Sequence, residues 1–165
     1  MASMDKARKN PKGQLLDQIE KSTAGMLGVQ GTGSHMQPMA PMLDRGAGAI
    51  WFFTKRGTHL VSEVGSGATA HFCIIARDQD YHACISGPIR QSHSREMIDR
   101  YWNPVVAAWY EGGKDDPELV LLELSPRNAD VWASTGSAIA FGWEIARANL
   151  TGDEPDVGYH TNIVF

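Results

Sequence analysis

The polar and hydrophobic positions of this chain alternate over short stretches, which is the pattern of half-buried β-strands. The segment ATAHFCIIAR alternates and then becomes continuously apolar, and YHACISGPIR follows it after the polar turn RDQD. A two-residue loop of Asp78 and Gln79 would place Cys73 opposite Cys84 on the partner strand. Further strands are predicted in AGMLGVQ, AIWFFT, LVLLELSP, ADVWAST, the last four residues, and HMQPMAPML, whose prolines favour an edge or bulged strand.

Helical spacing is confined to a few segments. Leu15, Leu16 and Ile19 predict a short amphipathic helix, and Ser92 or Ser94 is a plausible N-cap for another. A third helix, AIAFGWEIARANL, is predicted to end at Gly152. Six or seven mostly antiparallel strands with three or four helices predict an α+β fold. A split β-barrel with flanking helices is favoured because closing the sheet removes its exposed edges.

Length and charge narrow the function classes. The 165 residues predict a single domain, with residues 1–12 flexible and residues 153–165 forming an extended tail that docks on the rest. A net charge of −4 argues against sequence-independent nucleic-acid binding. No apolar run approaches the roughly 18 residues needed to cross a bilayer. A cytoplasmic protein with two reduced cysteines and no membrane or nucleic-acid partner is expected.

Most signatures of catalysis are missing from the sequence. The six histidines include no pair at helical ligand spacing, neither cysteine lies in a C-x-x-C motif, and no metal site is predicted. A haem held by a single histidine stays open. The glycine-rich GVQGTGSH matches no nucleotide-binding loop, and no G-x-S-x-G motif or other catalytic set is present. We therefore predict no catalytic side chain.

The segment AIWFFTKRGTHLVSEV carries the strongest chemical signal. A strand that ends at Phe53 and Thr54 is followed at once by Thr58 and His59, where a short helix begins. Hydroxyls and free backbone N–H groups at such a point suit a bound anion such as phosphate. Each residue also has a structural interpretation: Thr54 as a strand residue, Thr58 as an N-cap and His59 as a solvated residue of the first turn.

The same segment resembles the FMN-binding split-barrel family of the pyridoxamine 5′-phosphate oxidases, and in particular its bacterial general stress proteins. The similarity runs in order through nearly the whole chain, in GMLGV, PMAPM, WFFTKRGTHLVSEV, ISG, WNPVVAAWYEGGKDDPEL, ADVWAS and LTGDEPDVG. It implies a homodimeric barrel with FMN, or FAD or another flavin, in clefts at the subunit interface. Phe53 and Thr54 would lie along the flavin and Thr58 would contact its phosphate. His82 and Trp132 would approach the ring, Trp132 from the other subunit.

The chain departs from this family at the phosphate. The resemblance leads us to expect an Arg before the PM pair and a Lys or Arg after the Ser/Thr, but Gln37, preceded by His35, and His59-Leu60 stand there. His35 and His59 could still donate, but neutral histidine is a weaker partner for a dianion than guanidinium, and Arg56 or Lys55 could compensate from the turn. The substrate-phosphate signatures of the classical oxidase are also missing, and oxidation of pyridoxamine phosphate is not expected.

Three functions follow from the resemblance. The first is a flavin-dependent oxidoreductase with an unassigned small-molecule electron donor or acceptor, in which the flavin carries the electrons. The second is a stress-response module that holds flavin, haem or a deazaflavin without turnover. The third is a dimer whose cofactor site has decayed. The tail YHTNIVF is expected to pack near the dimer interface.

Overall fold

The computed structural model describes residues 4–134, 138–152 and 154–165. Strands are numbered in chain order: β1 Gly25–Val29, β2 Gln37–Met39, β3 Met42–Asp44, β4 Ala49–Lys55, β5 Ala68–Ile75, β6 Tyr81–Ser92, β7 Leu119–Leu124, β8 Asn128–Ser134 and β9 Gly158–Val164. The helices are α1 Met4–Lys9, α2 Pro11–Lys21, α3 His59–Val64, α4 Arg95–Tyr101, α5 Pro104–Ala107 and α6 Ala138–Thr151, with a 3₁₀ turn at Gly113–Asp115.

All the strand pairings are antiparallel, and seven strands follow one another in the order β2-β1-β5-β6-β7-β4-β3. The long strand β6 organises the sheet, because one of its edges pairs with β5 while the other edge pairs with both β8 and β7. Its first half, Tyr81–Ser86, pairs with β8, and Ile89–Ser92 pairs with β7. The sheet divides at this point and curls into a half-barrel. The predicted α+β split-barrel class is confirmed.

The connection between β7 and β8 passes directly over β6 at Gly87. Backbone N–H groups of Ser125 and Arg127 donate to the carbonyls of Pro88 and Ser86, at 2.9 and 2.8 Å. A Cβ on Gly87 would lie 2.1 Å from the Ser125 carbonyl oxygen, so a side chain here requires the backbone to move. This close approach is a reason for glycine in the ISG segment.

The core lies inside the curl of the sheet. Phe52 and Phe72 are fully buried there, with ring centroids 5.0 Å apart in an edge-to-face arrangement. Burying a side chain of this size stabilises the fold by about 1.5–3 kcal/mol. A second, smaller core lies on the other face of β4, where Trp51 and Leu121 pack against α4. Strand β4 is therefore covered on both faces, which explains its run of aromatic residues.

Two predicted elements are divided in the structure. The segment HMQPMAPML forms two short strands with different partners, since β2 pairs with β1 and β3 pairs with β4. Pro41, which has no backbone N–H, lies between them. The helix predicted from Ser94 ends at Tyr101 and α5 begins at Pro104, the proline at which the sequence predicts a kink or an end.

The two ends of the chain are joined to the sheet. Residues 4–9 and 11–21 are helical and Ala7 is fully buried, while the predicted flexibility of residues 1–12 stays a prediction. The extended tail forms β9, which pairs with β8 along its length. Cys73 lies opposite Cys84, as predicted, and both thiols are free. None of the described helices is both long and apolar enough to cross a bilayer.

Candidate functional site

An open cleft of about 800 Å³ lies over the end of β4. Its lining comes from three stretches of the chain: the β2–β3 segment, the β4–α3 turn, and α5 with the residues after it. Most of the lining is apolar or aromatic. The lining residues are Pro38, Met39, Ala40, Met42, Phe53, Thr54, Lys55, Thr58, Asn103, Val105, Val106, Trp109 and Tyr110.

The β4–α3 turn forms the polar end of the cleft. The Thr58 backbone N–H and its hydroxyl both donate to the Lys55 carbonyl, at 3.2 and 3.0 Å. The Thr58 Oγ1 atom also accepts from the Val61 N–H at 3.4 Å, so Thr58 is the N-cap of α3. Its oxygen lies 3.4 Å from the Thr54 hydroxyl. Two hydroxyls are thus placed side by side where the strand ends.

Helix α5 and the residues after it form the opposite, apolar wall. The Asn103 side chain caps α5 by accepting from the N–H groups of Val105 and Val106, at 2.9 and 3.1 Å. This short helix leaves Val105 and Trp109 74% and 67% exposed at the mouth of the cleft. Large apolar groups with this exposure are typical of surfaces that bind a ligand or a partner.

Tyr110 connects the two walls. Its hydroxyl donates to the Thr54 carbonyl at 2.8 Å, and its side chain is buried. Burial raises the pKa of Tyr110 to about 12, with a smaller contribution from the nearby Asp116 carboxylate. The phenol is protonated at neutral pH. Its O–H group therefore donates this hydrogen bond and holds the end of β4 in position.

Lys55 is the one formally charged side chain among the described residues that line the cleft. Its Nζ atom lies 6.0 Å from the centroid of the Tyr110 ring. The next residue, Arg56, is directed elsewhere: its Nε atom donates to the Pro117 carbonyl at 3.0 Å, and it lines a separate small cavity with His93 and Arg95. The alternation of side chains along the strand end separates these two cations.

The structure brings three of the predicted site residues, Phe53, Thr54 and Thr58, together in the cleft. Four others lie near it but do not line it. Gln37 is half-buried, with its amide nitrogen 3.5 Å from the Met39 sulfur. Leu60 is only 3% exposed and packs in the main core, while His35 and His59 are exposed to solvent. The assignment of these four residues to a cofactor stays a prediction.

The remaining predicted residues, His82 and Trp132, lie on the outer face of the sheet. They are directly opposite one another on β6 and β8, and His160 on β9 is opposite Trp132. The Trp132 and His160 rings stack with their centroids 4.9 Å apart and an angle of 16° between their planes. Trp132 is 45% exposed, and Ile75, which pairs with His82 from β5, is 62% exposed. We call these four side chains the outer row.

Comparison with known proteins identifies the family of this chain. Residues 10–156 match the family model described as pyridoxamine 5′-phosphate oxidase like. The chain belongs to the pyridoxamine 5′-phosphate oxidase-like family. Within this family it is similar to general stress protein 26 of Bacillus subtilis, with 26% identity over 121 residues that cover 71% of this chain and 84% of that protein.

Solved structures of pyridoxamine 5′-phosphate oxidase-like proteins share the fold. The general stress FMN/FAD binding protein from Xanthomonas citri has 36% identity and a TM-score of 0.70, covering 75% of this chain and 89% of that protein. A protein from Jannaschia sp. CCS1, provisionally named general stress protein 26, has 34% identity and a TM-score of 0.77. That match covers 91% of this chain and 95% of the Jannaschia protein.

Several members of the cleft lining escaped the residue-level predictions for this pyridoxamine 5′-phosphate oxidase-like chain. Asn103, Val105, Trp109 and Tyr110 come from the segment WNPVVAAWY, which was interpreted as a helix rather than as a wall of the site. The available signal was the pair of apolar residues that follows the Asn-Pro start of this helix. No group of three or more His, Cys, Asp or Glu side chains in the described parts of the chain is placed to hold a metal ion.

Proposed function

We propose that this chain binds FMN in the cleft over β4 and acts as a flavin-dependent oxidoreductase. The observation that carries the proposal is the composition of the cleft in a pyridoxamine 5′-phosphate oxidase-like protein. An apolar, aromatic wall faces a polar end that holds two hydroxyls and one cation. The similar Xanthomonas citri protein is named as an FMN/FAD binding protein, which supports a flavin as the ligand.

The residues of the cleft fit such a group. Its volume of about 800 Å³ lies in the range typical of cofactor pockets, which are mostly apolar with a few placed polar groups. Phe53, Met39 and Trp109 offer apolar surface to a flat ring system. Lys55 and Thr54 offer donors for a phosphate at the end of the strand. No carboxylate is among the described residues of the lining to oppose an anion.

The protein's part in the reaction is to bind and to orient. A bound flavin supplies the redox chemistry, because its ring accepts and returns a hydride or single electrons. Tyr110 holds the Thr54 carbonyl, and with it the end of β4, in a defined position. Phe53 is held from behind by Trp102, at a ring-centroid distance of 6.1 Å. The apolar wall of α5 offers a surface against which the ring of a flavin would pack. The electron donor and acceptor are small molecules that enter at its open mouth.

The proposal includes a homodimer with the flavin at the subunit interface. The supporting observation is the outer row, where Trp132 and Ile75 expose large apolar side chains on the outer face of the sheet. Val105 and Trp109 expose more at the mouth of the cleft. Exposed large apolar side chains grouped on one surface are a feature of protein interfaces. A second copy that covers both surfaces would complete the cleft with Trp132 and His82, the residues that the resemblance assigns to the flavin ring.

The test is direct. The purified protein is incubated with excess FMN and desalted, and its visible absorbance spectrum is recorded before and after. The two bands of oxidised flavin should be retained, and anaerobic NADH or NADPH should bleach them. Retained flavin that no donor reduces would favour the non-catalytic binding module. A preparation that retains no FMN would contradict the proposal.

A matched pair of variants then locates the site. Thr54→Val is nearly isosteric and removes one hydroxyl from the cleft, whereas Thr69→Val makes the same change at an exposed position on β5. We expect the first variant to bind FMN several-fold more weakly, because a hydrogen bond to a charged group is lost, and the second to bind as the wild type does. Equal affinities would exclude this cleft as the FMN site.

A further inference from the structure

We infer that Lys55 is the residue that recognises the flavin phosphate, in place of the two family cations that this chain lacks. The inference rests on the proposed function, since it concerns the ligand of the same cleft. It makes Lys55 the determinant by which the protein distinguishes a phosphorylated flavin, FMN or FAD, from riboflavin.

The position of Lys55 satisfies the first requirement. It follows Thr54 at the end of β4, its side chain lines the cleft beside Phe53, and its Nζ atom lies over the Tyr110 ring. Phe53, Tyr110 and Lys55 therefore line the same cleft. Lys55 follows Thr54 directly, so the lysine and the side-chain oxygens of Thr54 and Thr58 belong to the same strand-to-helix turn at the polar end of the cleft.

The charge of Lys55 is not already neutralised. It takes part in none of the ion pairs that the structure shows among its described residues. Lys55 acts electrostatically on the Asp116 carboxylate, whose pKa is lowered mainly by backbone N–H donors and only slightly by Lys55. Both Asp116 oxygens accept those N–H groups, from Gly112 at 3.0 Å and Glu118 at 2.9 Å. The ammonium donors of Lys55 are therefore not committed to a carboxylate among the described residues.

The alternative donors are occupied or turned away. Arg56 is held against the Pro117 carbonyl and lines a different cavity. The single hydroxyl proton of Thr58 is given to the Lys55 carbonyl. Leu60 is in the core, and its side chain has no hydrogen-bond donor. His59 is exposed beside the turn and does not line the cleft. Lys55 is the cation that remains.

The experiment measures how substitution of either of two adjacent cationic residues changes the binding of two flavins. FMN and riboflavin are titrated into the purified full-length protein in its native oligomeric state, and binding is followed by flavin fluorescence. Lys55→Gln should weaken FMN binding by about tenfold to a hundredfold, because a charge-assisted contact is lost, and should leave riboflavin binding within about twofold of wild type. Arg56→Gln removes the same charge one residue away, and its FMN affinity should stay within about threefold of wild type.

The outcomes separate the inference from the proposed function. If wild-type protein binds FMN and Lys55→Gln binds it equally well, or if both flavins weaken together, the inference is overturned while the proposed function stands. If Arg56→Gln has the larger effect on FMN, Arg56 is the phosphate ligand and the inference is wrong. If wild-type protein binds neither flavin, the proposed function fails first. A Lys55→Arg variant that restores FMN affinity, and an unchanged melting temperature for all variants, would complete the support.

Discussion

The cleft and the outer row both carry residues that the family resemblance assigns to the flavin, but the chain builds them in different ways. The polar end of the cleft comes from one continuous stretch, Phe53–Thr58, where a strand turns into a helix. The outer row is assembled by register, since Ile75, His82, Trp132 and His160 meet across four strands. A motif can reveal the first kind of site, whereas strand pairing is needed to reveal the second.

The two regions also differ in chemistry. The cleft has one cation, hydroxyls and an apolar wall, which suits an amphipathic anionic ligand. The outer face has stacked rings and, one register step away, the facing thiols of Cys73 and Cys84. If a second copy brings the two regions together, changes in the outer face will alter assembly and changes in the cleft will alter ligand binding. The following predictions test that division.

The largest expected effect concerns the thiols of the outer face. Burial, and then contact with Cys84, raises the pKa of the Cys73 thiol to about 12. Burial, the largest cause, remains in a Cys84→Ser variant, and only the thiolate attacks a disulfide reagent, so Cys73 in that variant should react with Ellman's reagent about a hundredfold more slowly than in the denatured chain. The Cys73→Ser variant measures Cys84 under the same conditions. Equal rates for Cys73 in folded and denatured protein would contradict the prediction.

The next effect concerns assembly through the outer row. Trp132→Glu places a charge where a large apolar ring is expected to be covered, and should weaken the dimer by roughly thirtyfold or more. Sedimentation equilibrium over a range of concentrations measures the change. Ser66→Glu, at an exposed position in the turn before β5, is the matched control and should leave the dimer intact. A Trp132→Glu protein that dimerises like the wild type would separate the outer row from the interface.

A moderate effect is expected at Tyr110, which connects the two walls of the cleft. Tyr110→Phe removes the buried hydroxyl that donates to the Thr54 carbonyl. The free energy of unfolding should fall by about 1–2 kcal/mol, as measured by urea denaturation at neutral pH. Dimerisation should be unaffected if the cleft and the outer row are independent.

The same variant gives a pH test whose sign is defined. Burial raises the folded-state pKa of Tyr110 from 10.0 to about 12, so its contribution to stability is complete below the unfolded-state value. As the pH rises from 10 towards 12, the unfolded chain ionises first and wild-type stability falls. The decline should be shallower in Tyr110→Phe. Identical alkaline profiles would show that Tyr110 does not titrate as its burial implies.

The smallest effect is expected where the outer row is already exposed. His160→Ala removes the ring stacked on Trp132 and a contact of 3.2 Å between Nε2 and the Asp130 carboxylate. A cross-strand pair at the surface contributes roughly 0.2–1 kcal/mol, so the free energy of unfolding should fall by about that amount. Thermal denaturation against a Thr161→Ala control measures it. A loss several times larger would mean that β9 depends on this pair.

Much of the fold was predictable because local patterns and pairing agreed. The alternation predicts the hairpin of β5 and β6, and the observed register pairs Cys73 with Cys84 as expected, while the turn runs through residues 77–80 with Gln79 at a positive φ of 56°. Thr58 was recognised as an N-cap candidate because hydroxyl residues at the start of a helix satisfy free N–H groups. The division of HMQPMAPML into β2 and β3 was missed, since a sequence does not state which neighbour each half will pair with.

The amino-acid sequence alone determined the alternating strands, the turn after Thr54 and the family to which the chain belongs, because these depend on local preferences and ordered motifs. Only the tertiary structure decided which way the side chains of that turn face. Lys55 enters the cleft, Arg56 leaves it, and Leu60 is buried in the core. Neighbouring residues at a strand end point to opposite sides, and which side becomes a cleft depends on α5, some fifty residues later in the chain.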